Sequence, residues 1–267
     1  MNAKYPRKGL RNTEERVLTC HTVGQDYHLS VALPDNYAAS GQNYPVLYLL
    51  DSDLFFGMAA SLTMPLYASM GKPELIIVGI GYDVESMDEW FRLREIDLKI
   101  PEVADAPADS RAGLFLNALS QEIIPFIEAN YRVNPSDRAL YGYSSGGFFV
   151  LYALFHQPGA FQRYLAGSGD LYLAYPYLIR HADRLANRTS TDPLQLYLSV
   201  GELEAHQFPY FHQLLDFLER ASYPGLALTA EIFPGGFHGP EGTALTYLHG
   251  IQQLYPDVGP RQSVILG

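Results

Sequence analysis

The chain has 267 residues, 48% hydrophobic and 13% aromatic, enough apolar material for one substantial core, so a single domain over residues 1–267 is expected. Its net charge of −11 repels phosphate backbones and anionic lipid, which excludes nucleic acid and membranes as expected partners. The opening "MNAKYPRKGLRNTEER" lacks the apolar stretch of a signal peptide, and Cys20 is the only cysteine, so a reduced, cytoplasmic setting is expected.

In chain order, residues 16–33 alternate loosely and break at Gly24-Gln25-Asp26, which predicts an antiparallel hairpin. Continuous apolar runs follow at 44–50 ("YPVLYLL"), 74–82 ("ELIIVGIGY"), 138–143 ("RALYGY"), 194–201 ("LQLYLSVG") and 227–236 ("ALTAEIFPGG"). Runs apolar on both faces belong to strands covered on both sides, as in parallel sheets. Between them, residues 111–131 carry Leu116, Leu119, Ile123 and Ile127 at helical spacing, with Pro125 as a kink or restart. Residues 208–221 carry Phe211, Leu214, Leu215 and Leu218 on one stripe. Strand and helix alternate from about residue 44 onward, the pattern of a doubly wound α/β sheet. The segment 83–112 is long, charged and holds the single tryptophan; a loop of that length is read as a cap or pocket wall.

Gly142-Tyr143-Ser144-Ser145-Gly146 matches G-x-S-x-G and lies between a short strand and an apolar helix. A serine nucleophile there stands at the apex of a sharp strand-to-helix turn. Its neighbours two residues away must be small, and the helix N-terminus points N–H groups toward developing negative charge. Ser144 is therefore the candidate nucleophile, and the backbone N–H of Ser145 a candidate oxyanion donor.

Such a serine needs a base and a residue to orient it, in the chain order Ser, Asp/Glu, His. Of eight histidines, His238 in "FPGGFHGPEG" follows the last predicted strand, where α/β sheets assemble their sites; His206 is its rival. Glu204, just past the strand ending at Gly201, is the leading acid, with Glu202 and Asp170 as alternatives.

With these residues in hand the chain resembles the esterase D-like branch of the α/β-hydrolases, and within it the siderophore-esterase-like bacterial subgroup. "LPDNY", "YPVLYLLDSD", "IIVGIGY", "FRLREIDL", "RALYGYSSGGFFVLYALF", "SVGELE" and "GGFH" carry the resemblance. It departs at Ser52, where the family often has glycine, and at Tyr143, where histidine is common. The resemblance implies an α/β-hydrolase fold with a mostly parallel sheet and helices on both faces. It also implies a second oxyanion donor from backbone N–H groups around Ser52 and Asp53. Trp90 and Phe91, with Phe55, Tyr143 and Tyr172, are the expected substrate contacts.

The function expected is hydrolysis of a small-molecule carboxylic ester through an acyl-enzyme. An acyltransferase or a non-catalytic binding module of the same fold are the alternatives. No cofactor is expected, because H-E-x-x-H and paired Cys/His clusters are absent and Gly79-x-Gly81 lacks the rest of a nucleotide fingerprint. Homo-oligomerisation is left open.

Overall fold

The computed structural model describes residues 9–188 and 192–259. Among these, eight strands form one sheet: β1 (Thr13–Cys20), β2 (Gln25–Ala32), β3 (Tyr44–Leu49), β4 (Ile76–Gly81), β5 (Val133–Tyr143), β6 (Arg163–Gly167), β7 (Leu194–Gly201) and β8 (Leu226–Phe233). They run in the order β1-β2-β4-β3-β5-β6-β7-β8. β1 and β2 form the antiparallel hairpin, β2 meets β4 antiparallel, and every pairing from β4 through β3 to β8 is parallel. This is the mostly parallel α/β-hydrolase sheet with an antiparallel hairpin at one edge.

Helices α1 (Ser52–Met70), α2 (Met87–Leu98), α3 (Ala112–Ala118), α4 (Ile124–Asn130), α5 (Ser145–His156), α6 (Leu171–Arg180), α7 (Ala182–Ala186), α8 (Phe208–Ala221) and α9 (Pro240–Leu254) connect the strands. The continuous apolar runs are explained by the pleat, which sends successive side chains to opposite faces. Val46, Tyr48 and Leu50 enter one core with α3, α5, α6 and α8. Leu47 and Leu49 enter the other with α1 and α9, through Phe56, Ala59, Leu66, Tyr247 and Ile251.

Several elements refine or depart from expectation. The helix predicted over 111–131 is interrupted by a π-turn at Leu119–Ile123 and restarts with Pro125 in the first turn of α4. Proline has no N–H to donate back to the preceding turn. β6 and α1 were not anticipated. Residues 83–112, expected as a long loop, contain the twelve-residue helix α2, N-capped by the Ser86 hydroxyl accepting from Glu89 N–H. Its apolar stripe is masked in the sequence because two of its buried residues are charged, Arg94 and Asp97. No helix among the described residues is long and apolar enough to cross a membrane.

Candidate active site

Ser144 sits between β5 and α5 with φ 59° and ψ −129°, a strained conformation for a residue with a side chain, costing of order 1–3 kcal/mol. The turn holds because its neighbours are glycines. A Cβ on Gly142 would lie 2.3 Å from the Gly146 carbonyl oxygen, and one on Gly147 would lie 2.5 Å from that of Gly167. Strand β6 braces the turn from the other side, with the Ser144 N–H donating to Gly167 O at 2.9 Å.

Past β7, Glu204 is buried at 3% exposure, and its Oε2 lies 2.9 Å from His238 Nδ1. The carboxylate also accepts from Ser168 Oγ at 2.6 Å, Gly201 N–H at 2.9 Å and Gln207 Nε2 at 2.9 Å. Burial by itself would raise its pKa. The donors from His238, Ser168 and Gly201 outweigh that and hold it below the ordinary glutamate value. The rivals are engaged elsewhere. Glu202 accepts from Gly235 N–H at 2.8 Å, and the ring of His206 packs edge-on to Tyr172 at 5.8 Å.

Ser144 and His238 line one cleft of about 180 Å³ with Asp51, Phe55, Trp90, Phe91, Arg94, Tyr143, Gly239, Pro240 and Thr243. The Tyr143 ring lies 5.1 Å from the His238 imidazole. Trp90 is buried, whereas Phe91 beside it is half exposed at the rim. Tyr172 is outside this lining. The Ser52 side chain lies against Gly79 and Gly81 of β4. The Asp53 carboxylate accepts from the N–H groups of Tyr82 and Asp83 at 3.0–3.2 Å. Those two side chains therefore face β4, while their peptide units form the first turn of α1, whose leading N–H groups have no partner within the helix.

A family described as putative esterase matches residues 20–220. The chain belongs to this esterase family. It is a carboxylic ester hydrolase whose relatives include the ferri-bacillibactin esterase BesA of Bacillus subtilis, 30% identical over 73% of this chain and 71% of that protein. An IroE-like serine hydrolase from Shewanella oneidensis is 25% identical with a TM-score of 0.77, over 91% of this chain and 80% of the other. The siderophore hydrolase EstB of Aspergillus nidulans shares the fold at a TM-score of 0.81 and 22% identity, over 97% of this chain and 100% of the other.

The candidate site contains residues that sequence reasoning missed. Arg94 and Asp51 form a buried two-pronged ion pair at 2.8 and 2.7 Å on the cleft wall. Their signal was present in "LLDSD" and "FRLREIDL", but neither motif says that the two meet. Ser168 and Gln207 support Glu204, and only the Gln207 spacing, one helical turn on, hinted at it. Ser145 Oγ lies 2.9 Å from both Glu95 Oε1 and Asp170 Oδ2. One hydroxyl proton serves one carboxylate. The Asp170 pKa is pushed up by burial and by the neighbouring Glu95 charge. Glu95 also pairs with Arg94 at 3.0 Å and Lys99 at 2.5 Å. Among the described residues, no group of three or more His, Cys, Asp or Glu side chains is placed to hold a metal ion.

Proposed function

We propose that the chain cleaves a small-molecule ester through an acyl-enzyme, with Ser144 as nucleophile, His238 as general base and acid, and Glu204 as the residue that orients the imidazole. The observation that carries this reading is the 2.9 Å contact between Glu204 and His238 Nδ1, with His238 and the strained Ser144 on one cleft. Glu204 accepts a hydrogen bond from Nδ1–H, leaving Nε2 free to take the proton of Ser144 as its Oγ attacks the ester carbonyl. The N–H of Ser145 and one from the first turn of α1, at Ser52 or Asp53, receive the negative charge on the carbonyl oxygen. The intermediate collapses, the His238 proton leaves with the alcohol, and water repeats the sequence in reverse.

Trp90, Phe91, Phe55 and Tyr143 form the wall against which the substrate packs, and residues 83–112 supply its outer part. The name of the Bacillus subtilis relative makes siderophore esters the substrate class to assay beside simple acyl esters. The test compares p-nitrophenyl acetate and butyrate turnover by the parent and Ser144→Ala. Turnover is expected to fall roughly 10⁶-fold in the variant. A labelled fluorophosphonate is expected to attach to the parent and not to Ser144→Ala. Retained hydrolysis or labelling in Ser144→Ala removes Ser144 from the role.

A further inference from the structure

Two consecutive residues of α2 hold the starts of two helices, α1 through Asp51 and α5 through Ser145. Arg94 Nε and Nη2 donate to Asp51 Oδ1 and Oδ2 at 2.8 and 2.7 Å, and Asp51 is the residue from which α1 starts, at φ 56°. Glu95 Oε1 accepts from Ser145 Oγ at 2.9 Å, at the start of α5. Arg94 Nη1 donates to the same Glu95 oxygen at 3.0 Å, which closes a continuous chain from Asp51 through Arg94 and Glu95 to Ser145. Asp170 holds Ser145 from the far side at 2.9 Å. Trp90, one turn earlier on α2, lies 5.0 Å from the Arg94 guanidinium.

An isolated buried ion pair adds little net stability over apolar residues of the same volume, because desolvation offsets attraction. A two-pronged arginine–carboxylate pair does fix distance and angle together, which a lysine cannot do. Here the pair is joined through Glu95 to a second anchor, Ser145 at the start of α5.

We propose that α2 is a strut that sets the gap between the two oxyanion donors, with Arg94 and Glu95 as positioning residues. The proposal rests on Ser144 being the nucleophile. Arg94 fixes the first turn of α1 through Asp51, and Glu95 fixes the first turn of α5 through Ser145. Donors stabilise an oxyanion when they stand 2.7–3.1 Å from the place it will occupy, so a small shift of one turn against the other weakens the transition state. The uncharged ester, which asks less of those donors, binds almost as before.

The experiment compares the parent, Arg94→Lys, Glu95→Gln and Ser144→Ala in three measurements. These are kcat and KM for p-nitrophenyl acetate, thermal melting, and inhibition by phenylboronic acid, which forms a tetrahedral anion on an active serine. For Arg94→Lys, kcat and boronate affinity are expected to fall together by roughly ten- to a hundredfold, with KM within about twofold. Glu95→Gln is nearly isosteric and shows the same split, more weakly; it decides the matter if Arg94→Lys does not fold. Melting that drops while kcat and boronate affinity stay level would make α2 a staple for stability alone and overturn the proposal. A Ser144→Ala enzyme as active and as boronate-sensitive as the parent would defeat the nucleophile assignment instead, a result distinguishable from failure of the strut.

Discussion

At the scale of single residues, the buried Glu204 and the half-buried Asp170 near Ser144 have opposite electrostatic characters. Glu204 is held below its ordinary pKa because its donors outweigh burial. Its contribution to stability is thus complete above about pH 4.3 and is lost as pH falls through the folded-state value. Glu204→Gln is expected to lower kcat by about 10⁴-fold, and its melting deficit against the parent to shrink as pH drops below about 4. An unchanged kcat removes Glu204 from the orienting role. Asp170 is raised, first by burial and then by Glu95, so the folded state holds its proton more tightly than the unfolded chain does. Stability is then lost as pH rises from about 3.9 through the folded value. Asp170→Asn is expected to melt higher than the parent at neutral pH, with the gain vanishing toward about pH 4. A gain that persists equally in acid would place the effect outside the ionisation of Asp170.

Elements explain why the turn tolerates its strain. β5 and β6 run parallel in register, with Gly142 opposite Ala166 and Tyr143 opposite Gly167, and α5 packs down against both. A methyl group on Gly147 would stand 2.5 Å from the Gly167 carbonyl oxygen and 2.9 Å from Gly169 Cα. Neither is a flexible side chain that can step aside. Gly147→Ala is therefore expected to destabilise the esterase by about 1–3 kcal/mol, read as a lower denaturant midpoint, and to reduce kcat because α5 carries the Ser145 N–H. A variant as stable as the parent would mean that α5 can slide without cost. At this scale the sequence was legible where periodicity or turn residues spoke: the hairpin, the parallel strands other than β6, and α8. It was silent on α2, whose buried face carries Arg94 and Asp97. Asp97 is satisfied by Tyr27 at 2.7 Å and Arg111 at 2.6 Å, partners that no local pattern announces.

For the whole molecule, the net charge of −11 acts on every approaching substrate. Like-charge repulsion slows encounter at low ionic strength and is screened as the Debye length contracts to roughly 8 Å near physiological salt. The kcat/KM for an anionic ester such as p-nitrophenyl hemisuccinate is expected to rise several-fold from about 10 to 150 mM salt. That for p-nitrophenyl acetate is expected to stay nearly flat. Equal salt responses for the two esters would show that the local field at the cleft, where Arg94 lies, rather than the total charge, governs approach.

The amino-acid sequence by itself determined the layered α/β architecture, because apolar runs and helical stripes are local properties that neighbouring residues carry together. It also determined the strand-to-helix turn at Ser144, since glycines at 142 and 146 are demanded by crowding within five residues. His238 and Glu204 were legible as strand-end residues and as a candidate base with its leading acid, while Glu202, Asp170 and His206 stayed open as alternatives. What only the tertiary structure decided was which distant side chains meet. The Asp51–Arg94 and Glu95–Ser145 contacts join residues 43 and 50 positions apart, and Ser168 reaches Glu204 across 36. Such contacts depend on how helices are laid over the sheet, and a hydrogen bond between two buried polar groups leaves no periodicity behind.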